Sequence, residues 1–181
     1  MGPDPFSIDP VVLRGVAATL SVVLILGALA KLRDMELFRY AVDNYRLLPD
    51  ALVPGFAWGF ALSELAAGVG LLFPASQGGA VWLALAVLGM ASTGVLINLS
   101  RGTDRIECGC GTGGQRISAG LVARNGVLAA LVALCATDEL PRTLGLIDHF
   151  SVAGIALVLL ALYASANQLL ANQPLLKEIH S

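Results

Sequence analysis

The stretch AVWLALAVLGMASTGVLINL, residues 80–99, contains no charged side chain and no proline. Coiled as an α-helix at about 1.5 Å per residue, it spans roughly 30 Å, the thickness of a bilayer's hydrocarbon core. Four more windows share its character: residues 11–30, 52–73, 117–136 and 150–171. Within all five, only Arg14, Glu64 and Arg124 are charged. Backbone amides must be paired inside lipid, so each window reads as a helix. The 181-residue chain is 56% hydrophobic and 13% charged, about half of the roughly 25% charge of soluble domains. A soluble enzyme and a disordered chain are excluded, and a net charge of −2 offers nothing to nucleic acid. The expected fold is all-α: a polytopic membrane helical bundle of about five transmembrane helices in the lipid bilayer. Residues 1–181 then form a single transmembrane domain, because connectors of at most about 20 residues cannot fold alone. Residues 1–10 hold Asp4 and Asp9 but no basic run, so the first span reads as retained and not as a cleaved signal.

Punctuation marks the ends of the spans. Pro10 precedes the first, and Lys31-Leu-Arg33-Asp34 closes it. Pro54 sits in the first turn of the second, where a missing N–H costs little. Between these two spans, Leu37, Phe38, Ala41, Tyr45 and Leu48 recur at helical spacing, with Arg39, Asp43 and Arg46 between them. Residues 35–48 therefore read as an amphipathic interfacial helix, able to lid the bundle mouth, or else as a solvated connector. Gly55 and Gly59 stand four apart, as do Ala66 and Gly70, a spacing that suits close helix packing.

The sharpest chemical feature is Glu107-Cys108-Gly-Cys110-Gly111, in the polar segment before the fourth span. A lone glycine lets the chain bend enough to bring the two Cα atoms within disulfide range, roughly 4.4–6.8 Å. So small a ring is strained, and strained exposed disulfides are the labile or catalytic ones. It closes almost no loop, so it is of little use as a staple. The following helix N-terminus, with Arg105 and Arg116, favours thiolate, whereas Glu107 opposes it. Two other readings stand beside the redox pair: unpaired surface cysteines, or half of a metal site completed by Glu107 and His180. Cys135, near the far end of the fourth span, reads as an inert core thiol.

An ionisable group inside the membrane is a functional candidate. Glu64 lies about 12 residues below the cysteine-bearing face, roughly 18 Å at the helical rise. Arg124 lies about 7 residues below it, roughly 10 Å on the same rise. An ion pair between them is geometrically possible. It would either lock two helices or floor a cavity lined by Trp58, Phe60, Asn98, Arg124 and Asn125, at a depth suited to a quinone ring.

Several segments, in order, carry a resemblance. They are Gly27-Ala-Leu-Ala-Lys31-Leu-Arg33-Asp34 with Phe38, Tyr45-Arg-Leu-Leu-Pro49, Glu64-Leu-Ala-Ala-Gly68-Val-Gly70-Leu-Leu, and Cys108-Gly-Cys110 followed by Ala123-Arg124-Asn125. Over residues 15–136 this set resembles the methylamine utilisation protein MauE family, within the wider MauE/DoxX group. The resemblance implies a role in maturing methylamine dehydrogenase, whose small subunit is dense in disulfides, together with a thioredoxin-like, MauD-like partner. It also implies a four-helix core similar to vitamin K epoxide reductase and DsbB, with a redox-active disulfide at the mouth and ubiquinone or menaquinone below. The chain departs from those enzymes in having Cys-Gly-Cys in place of Cys-x-x-Cys, and in having no shuttle cysteines in its first connector. A separate protein must then provide the shuttle dithiol.

The expectation is a quinone-linked thiol–disulfide oxidoreductase with Cys108 and Cys110 as the reacting pair. Arg124, Asn125, Asn98, Glu64 and Trp58 would bind the quinone. The alternatives are a non-catalytic anchor for a soluble redox partner and a metal-handling membrane protein. Disulfide chemistry places the cysteine loop on the periplasmic side of a bacterial inner membrane. The count of Lys and Arg opposes this, because Lys31, Arg33, Arg39, Arg46, Arg101, Arg105, Arg116 and Lys177 all fall on the cysteine face.

Overall fold

Helix α1 (Pro10–Arg33) begins where the Asp9 carboxylate accepts the Val11 amide at 2.8 Å and Pro10 starts the first turn. The computed structural model describes residues 7–103, 116–137 and 139–179, with side chains as far as residue 172. Asp34 ends α1 and caps α2 (Met35–Asn44), its side chain accepting the Leu37 amide at 3.0 Å. Arg46, at φ 48°, turns the chain out of α2. A 3-10 turn (Asp50–Leu52) then leads into α3 (Val53–Gly70). Helices α4 (Pro74–Ser100), α5 (Ala119–Leu134) and α6 (Leu146–Ile179) complete an all-helical bundle.

Helix α1 packs on α3, α3 on α4, α4 on α5, and α5 returns to α1. The four make a ring in which α3 and α5 face each other across the middle, and α6 lies outside against α1. More than half of the apolar window of α1 is buried, and none of that of α6. Among the described residues, four helices are long and apolar enough to cross a membrane: residues 10–33, 50–70, 74–100 and 146–172. The chain is a multi-pass membrane protein. The window expected over residues 117–136 is the short apolar helix α5, 16 residues long. It is trimmed because Ser118 is extended (φ −153°, ψ 160°) and Cys135 already closes the last turn.

Small residues set the closest helix contacts, though not always those expected. A Cβ at Gly68 would meet the Ser21 carbonyl and the Ile25 amide nitrogen, both at 3.1 Å, and one at Gly15 would meet Ile155 at 2.6 Å. Gly55 and Gly59, expected to pack, have nothing within 4 Å of a built Cβ, because they lie on the outward side of α3. Gly68→Val should therefore destabilise the bundle by about 1–3 kcal/mol, since backbone cannot step aside for the added methyls. Gly59→Ala should not. Unfolding by dodecyl sulfate in mixed micelles would read both.

At the α1 N-terminus, Leu140 donates its amide to the Ile8 carbonyl at 3.0 Å. Arg142 bridges Asp9 and Asp148, each at 3.0 Å. Gln77 donates to the Cys135 carbonyl at 3.4 Å, so the start of α4 and the end of α5 share this face. Hydrogen bonds from Arg142 and from the Val11 amide hold the Asp9 carboxyl below its ordinary value. A lowered folded-state value stabilises the fold above the unfolded aspartate range, roughly pH 3.9, and the benefit is lost as pH falls through the lower folded value. A thermal-stability titration into acid should show this loss in the natural chain, and Arg142→Gln should flatten it.

Candidate functional site

Helix α1 ends at Arg33, and α2 follows it directly and packs on α3. Phe38 of α2 stacks on Phe60 of α3 with ring centroids 6.0 Å apart, and the two join Ala57 and Val87 in a small core of their own. Asn98 of α4 donates to the Tyr45 carbonyl at 3.2 Å, and the Tyr45 ring rests on Gly94. Burial there pushes the Tyr45 hydroxyl up to about 12. Helix α2 and the segment behind it are thus pinned as a roof, the packed form of the amphipathic helix read from residues 35–48.

Beneath this roof lies a cavity of about 390 Å³, with walls from α1, α3, α4 and α5 and with Tyr163 of α6 at its side. Most of the lining is aliphatic or aromatic. Two charged centres interrupt it.

The first is Lys31 with Glu64. Their Nζ–Oε2 distance is 2.7 Å, and the lysine side chain is only 7% exposed. Lys31 also donates to the Gly27 carbonyl at 3.2 Å, and its ammonium faces the Phe38 and Phe60 rings at 5.6 and 5.8 Å. The missing side chain of Gly27 makes room for the carboxylate, since a Cβ there would lie 2.9 Å from Glu64 Oε1. A buried charge persists only when partnered, and here each ion neutralises the other.

The second is Arg124. It donates to Asn125 Oδ1 at 3.1 Å and to Asn167 Oδ1 at 2.5 Å, and its guanidinium lies over the Tyr163 ring at 5.8 Å. The expected Glu64–Arg124 pair is therefore replaced by Glu64–Lys31. Glu64 and Arg124 come from helices on opposite sides of the ring, Arg124 turns toward α6, and the last turns of α1 bring Lys31 to Glu64.

The other expected residues divide. Phe60 and Asn125 line the cavity alongside Glu64 and Arg124. Asn98 does not: it acts one layer up, holding Tyr45. Trp58 does not either. Buried α3 residues fall at Ala57, Phe60, Ala61, Glu64, Ala67 and Gly68, which leaves Trp58 on the outward face, 47% exposed. Cys135 is buried at the opposite end of the bundle, its thiol 3.5 Å from the Leu131 carbonyl. Cys108 and Cys110, with Glu107 and His180, lie outside the described residues. Gly94 and Val95 of α4, which runs on to Ser100, and Leu121 of α5, which begins at Ala119, line the cavity, and the cysteine pair lies between these two helices in the sequence.

Sequence reasoning missed Lys31, Gly27, Tyr163 and Asn167 as site residues. A signal existed for each pair. Gly27 and Lys31 stand four apart on one helix face, and Tyr163 and Asn167 repeat that spacing in an otherwise apolar span.

A family model described as methylamine utilisation protein MauE matches residues 9–138, from the α1 cap to a few residues past α5. The chain is 38% identical over 165 residues to a methylamine utilization protein MauE of Paracoccus versutus, covering 89% of this chain and 88% of that one. It is 37% identical over 134 residues to the protein of the same name from Paracoccus denitrificans, covering 73% and 72%. It is 34% identical over 158 residues to that of Methylorubrum extorquens, covering 84% and 85%. No solved structure matches.

Proposed function

The chain belongs to the methylamine utilisation protein MauE family, and on that premise we propose that it is a membrane thiol–disulfide oxidoreductase serving methylamine dehydrogenase maturation. The observation that carries the proposal is the cavity: an apolar chamber with a buried ion pair and a half-buried arginine, lined by the two helices that precede and follow the Cys108-Gly-Cys110 segment in the chain. A purely structural bundle has no use for charges facing an open chamber, because filling it with apolar side chains would be at least as stable.

A thiolate of a reduced, thioredoxin-like (MauD-like) partner attacks a Cys108–Cys110 disulfide. One loop cysteine leaves as thiolate, and a mixed disulfide forms. The partner's second thiolate breaks that bond, so the partner leaves oxidised and the loop is left as a dithiol. Two electrons and two protons must then leave the loop. A quinone bound in the cavity is the class of acceptor that takes both, and the chamber suits one: aromatic walls for a flat ring, Arg124, Asn125 and Lys31 as hydrogen-bond donors for its oxygens. The oxidised partner goes on to form disulfides in the dehydrogenase small subunit. This chemistry requires the cysteine segment to face the periplasm from the bacterial inner membrane.

The test is capture of the partner. Cells carrying a single loop cysteine should accumulate a mixed disulfide with a thioredoxin-like exported protein, released by reductant. A second reading, a non-catalytic anchor, draws on the outward face of α2, where Leu37 and Tyr40 are 50% and 63% exposed. On that reading no mixed disulfide forms, and altering Leu37 and Tyr40 is what breaks the partnership.

A further inference from the structure

The two polar ends of the cavity differ in what they can do. Arg124 holds charge but cannot release a proton at any accessible pH. Lys31 Nζ lies 2.7 Å from Glu64 Oε2, and an ammonium, unlike a guanidinium, is a group that can pass a proton on. Two of the three ammonium hydrogens go to Glu64 and to the Gly27 carbonyl. The third is left for the chamber, beside the Phe38 and Phe60 rings. The remaining titratable groups in the lining are Tyr45, whose carbonyl side is tied to Asn98, and Tyr163, whose ring lies under Arg124. Helix α4 contributes no titratable side chain to the lining.

We propose that Lys31, coupled to Glu64, is the group that hands a proton to an acceptor oxygen in this cavity, while Arg124 and Asn125 hold the acceptor's other end. The assignment rests on the quinone reading above. Closing the Cys108–Cys110 disulfide releases two electrons and two protons, and reducing a quinone to a quinol consumes two of each. Lys31 gives up its proton to the acceptor as the electrons arrive. The pair, briefly left with the net negative charge of Glu64, recovers a proton from those that the thiols release. The second proton reaches the acceptor from the same source, so the balance closes without a further reactant. The last turns of α1 serve this relay, since they bring Lys31 alongside Glu64 of α3.

The experiment uses the full chain in lipid nanodiscs with ubiquinone-1. Equilibrium binding is read by titration, single-turnover thiol loss after prior reduction of the loop is read by rapid mixing, and infrared difference spectra are read on reducing the bound quinone. Lys31→Arg keeps the ion pair but removes the transferable proton. It should bind ubiquinone-1 within about twofold of the natural chain and transfer about 100-fold more slowly. The double variant Lys31→Met/Glu64→Leu, which leaves no lone charge, should bind ubiquinone-1 more weakly for want of the Lys31 donor, and should lose both fast transfer and the Glu64 carboxylate shift expected in the natural chain's difference spectrum. Transfer at the natural rate in Lys31→Arg, or a carboxylate shift that persists unchanged in the double variant, overturns the relay while leaving the quinone reading standing. A natural chain that does not bind ubiquinone-1 overturns the quinone reading, and the relay falls with it.

Discussion

Glu64→Leu should destabilise the folded bundle by about 3–5 kcal/mol, because it leaves the Lys31 ammonium in an apolar chamber with no counter-ion. Water hardly reaches Lys31, which is 7% exposed, and the surrounding Phe38 and Phe60 rings offset only a fraction of the lost attraction. Lys31→Met should do similar harm for the mirrored reason, stranding the Glu64 carboxylate beside Gly27. The double variant Lys31→Met/Glu64→Leu should recover most of the loss, since two apolar side chains of similar volume fill the same space without desolvated charge. The sign of the coupling is the informative quantity: a cycle over the four proteins should give a strongly non-additive result. Unfolding by dodecyl sulfate in mixed micelles measures it. Additive single effects would show that Lys31 and Glu64 act separately and would contradict the 2.7 Å contact.

Cys108→Ser and Cys110→Ser should each reduce exchange with the partner to background, while insertion and thermal stability stay unchanged. A serine hydroxyl cannot form the sulfur–sulfur bond that transfers the electron pair, so nothing short of complete loss fits the mechanism. The two variants should differ in one respect. The cysteine that meets the partner traps it as a lasting mixed disulfide when its neighbour is absent, whereas the other leaves the partner free. Cys135→Ser is the control. Its thiol is buried at the far end of α5 and contacts a helix carbonyl, a contact that a hydroxyl can also make, so exchange should proceed as before. Full activity in both single loop variants would favour the anchor reading over the oxidoreductase.

Helix α2 shows how far periodicity alone carries. Phe38 and Ala41 fall on one face at helical spacing, and they are the two buried residues of that helix. What the spacing could not tell is that α2 roofs a cavity: that depends on Tyr45 seating on Gly94 and on Asn98 reaching its carbonyl, a contact between residues 53 apart in the chain. Trp58 shows the converse. Counting depth along α3 placed it near Glu64, but depth is one coordinate and azimuth is the other, and Trp58 is turned away.

The amino-acid sequence by itself determined the membrane class, the helical architecture, the amphipathic segment, the two-cysteine motif and the cost of placing Glu64 and Arg124 in lipid. Each of these is a local property: apolar length, spacing, or the price of an isolated charge. Only the tertiary structure decided which charges meet. Lys31 reads along the chain as the residue that ends an apolar run, and Arg124 as the natural partner of Glu64. In space, the last turns of α1 deliver Lys31 to Glu64, and the packing of α6 against the ring draws Arg124 to Asn167 and Tyr163. Pairing across helices depends on where each helix stops and how it is rotated, and both are settled by the packing of the whole bundle, where Gly15, Gly27 and Gly68 allow the helices to come close.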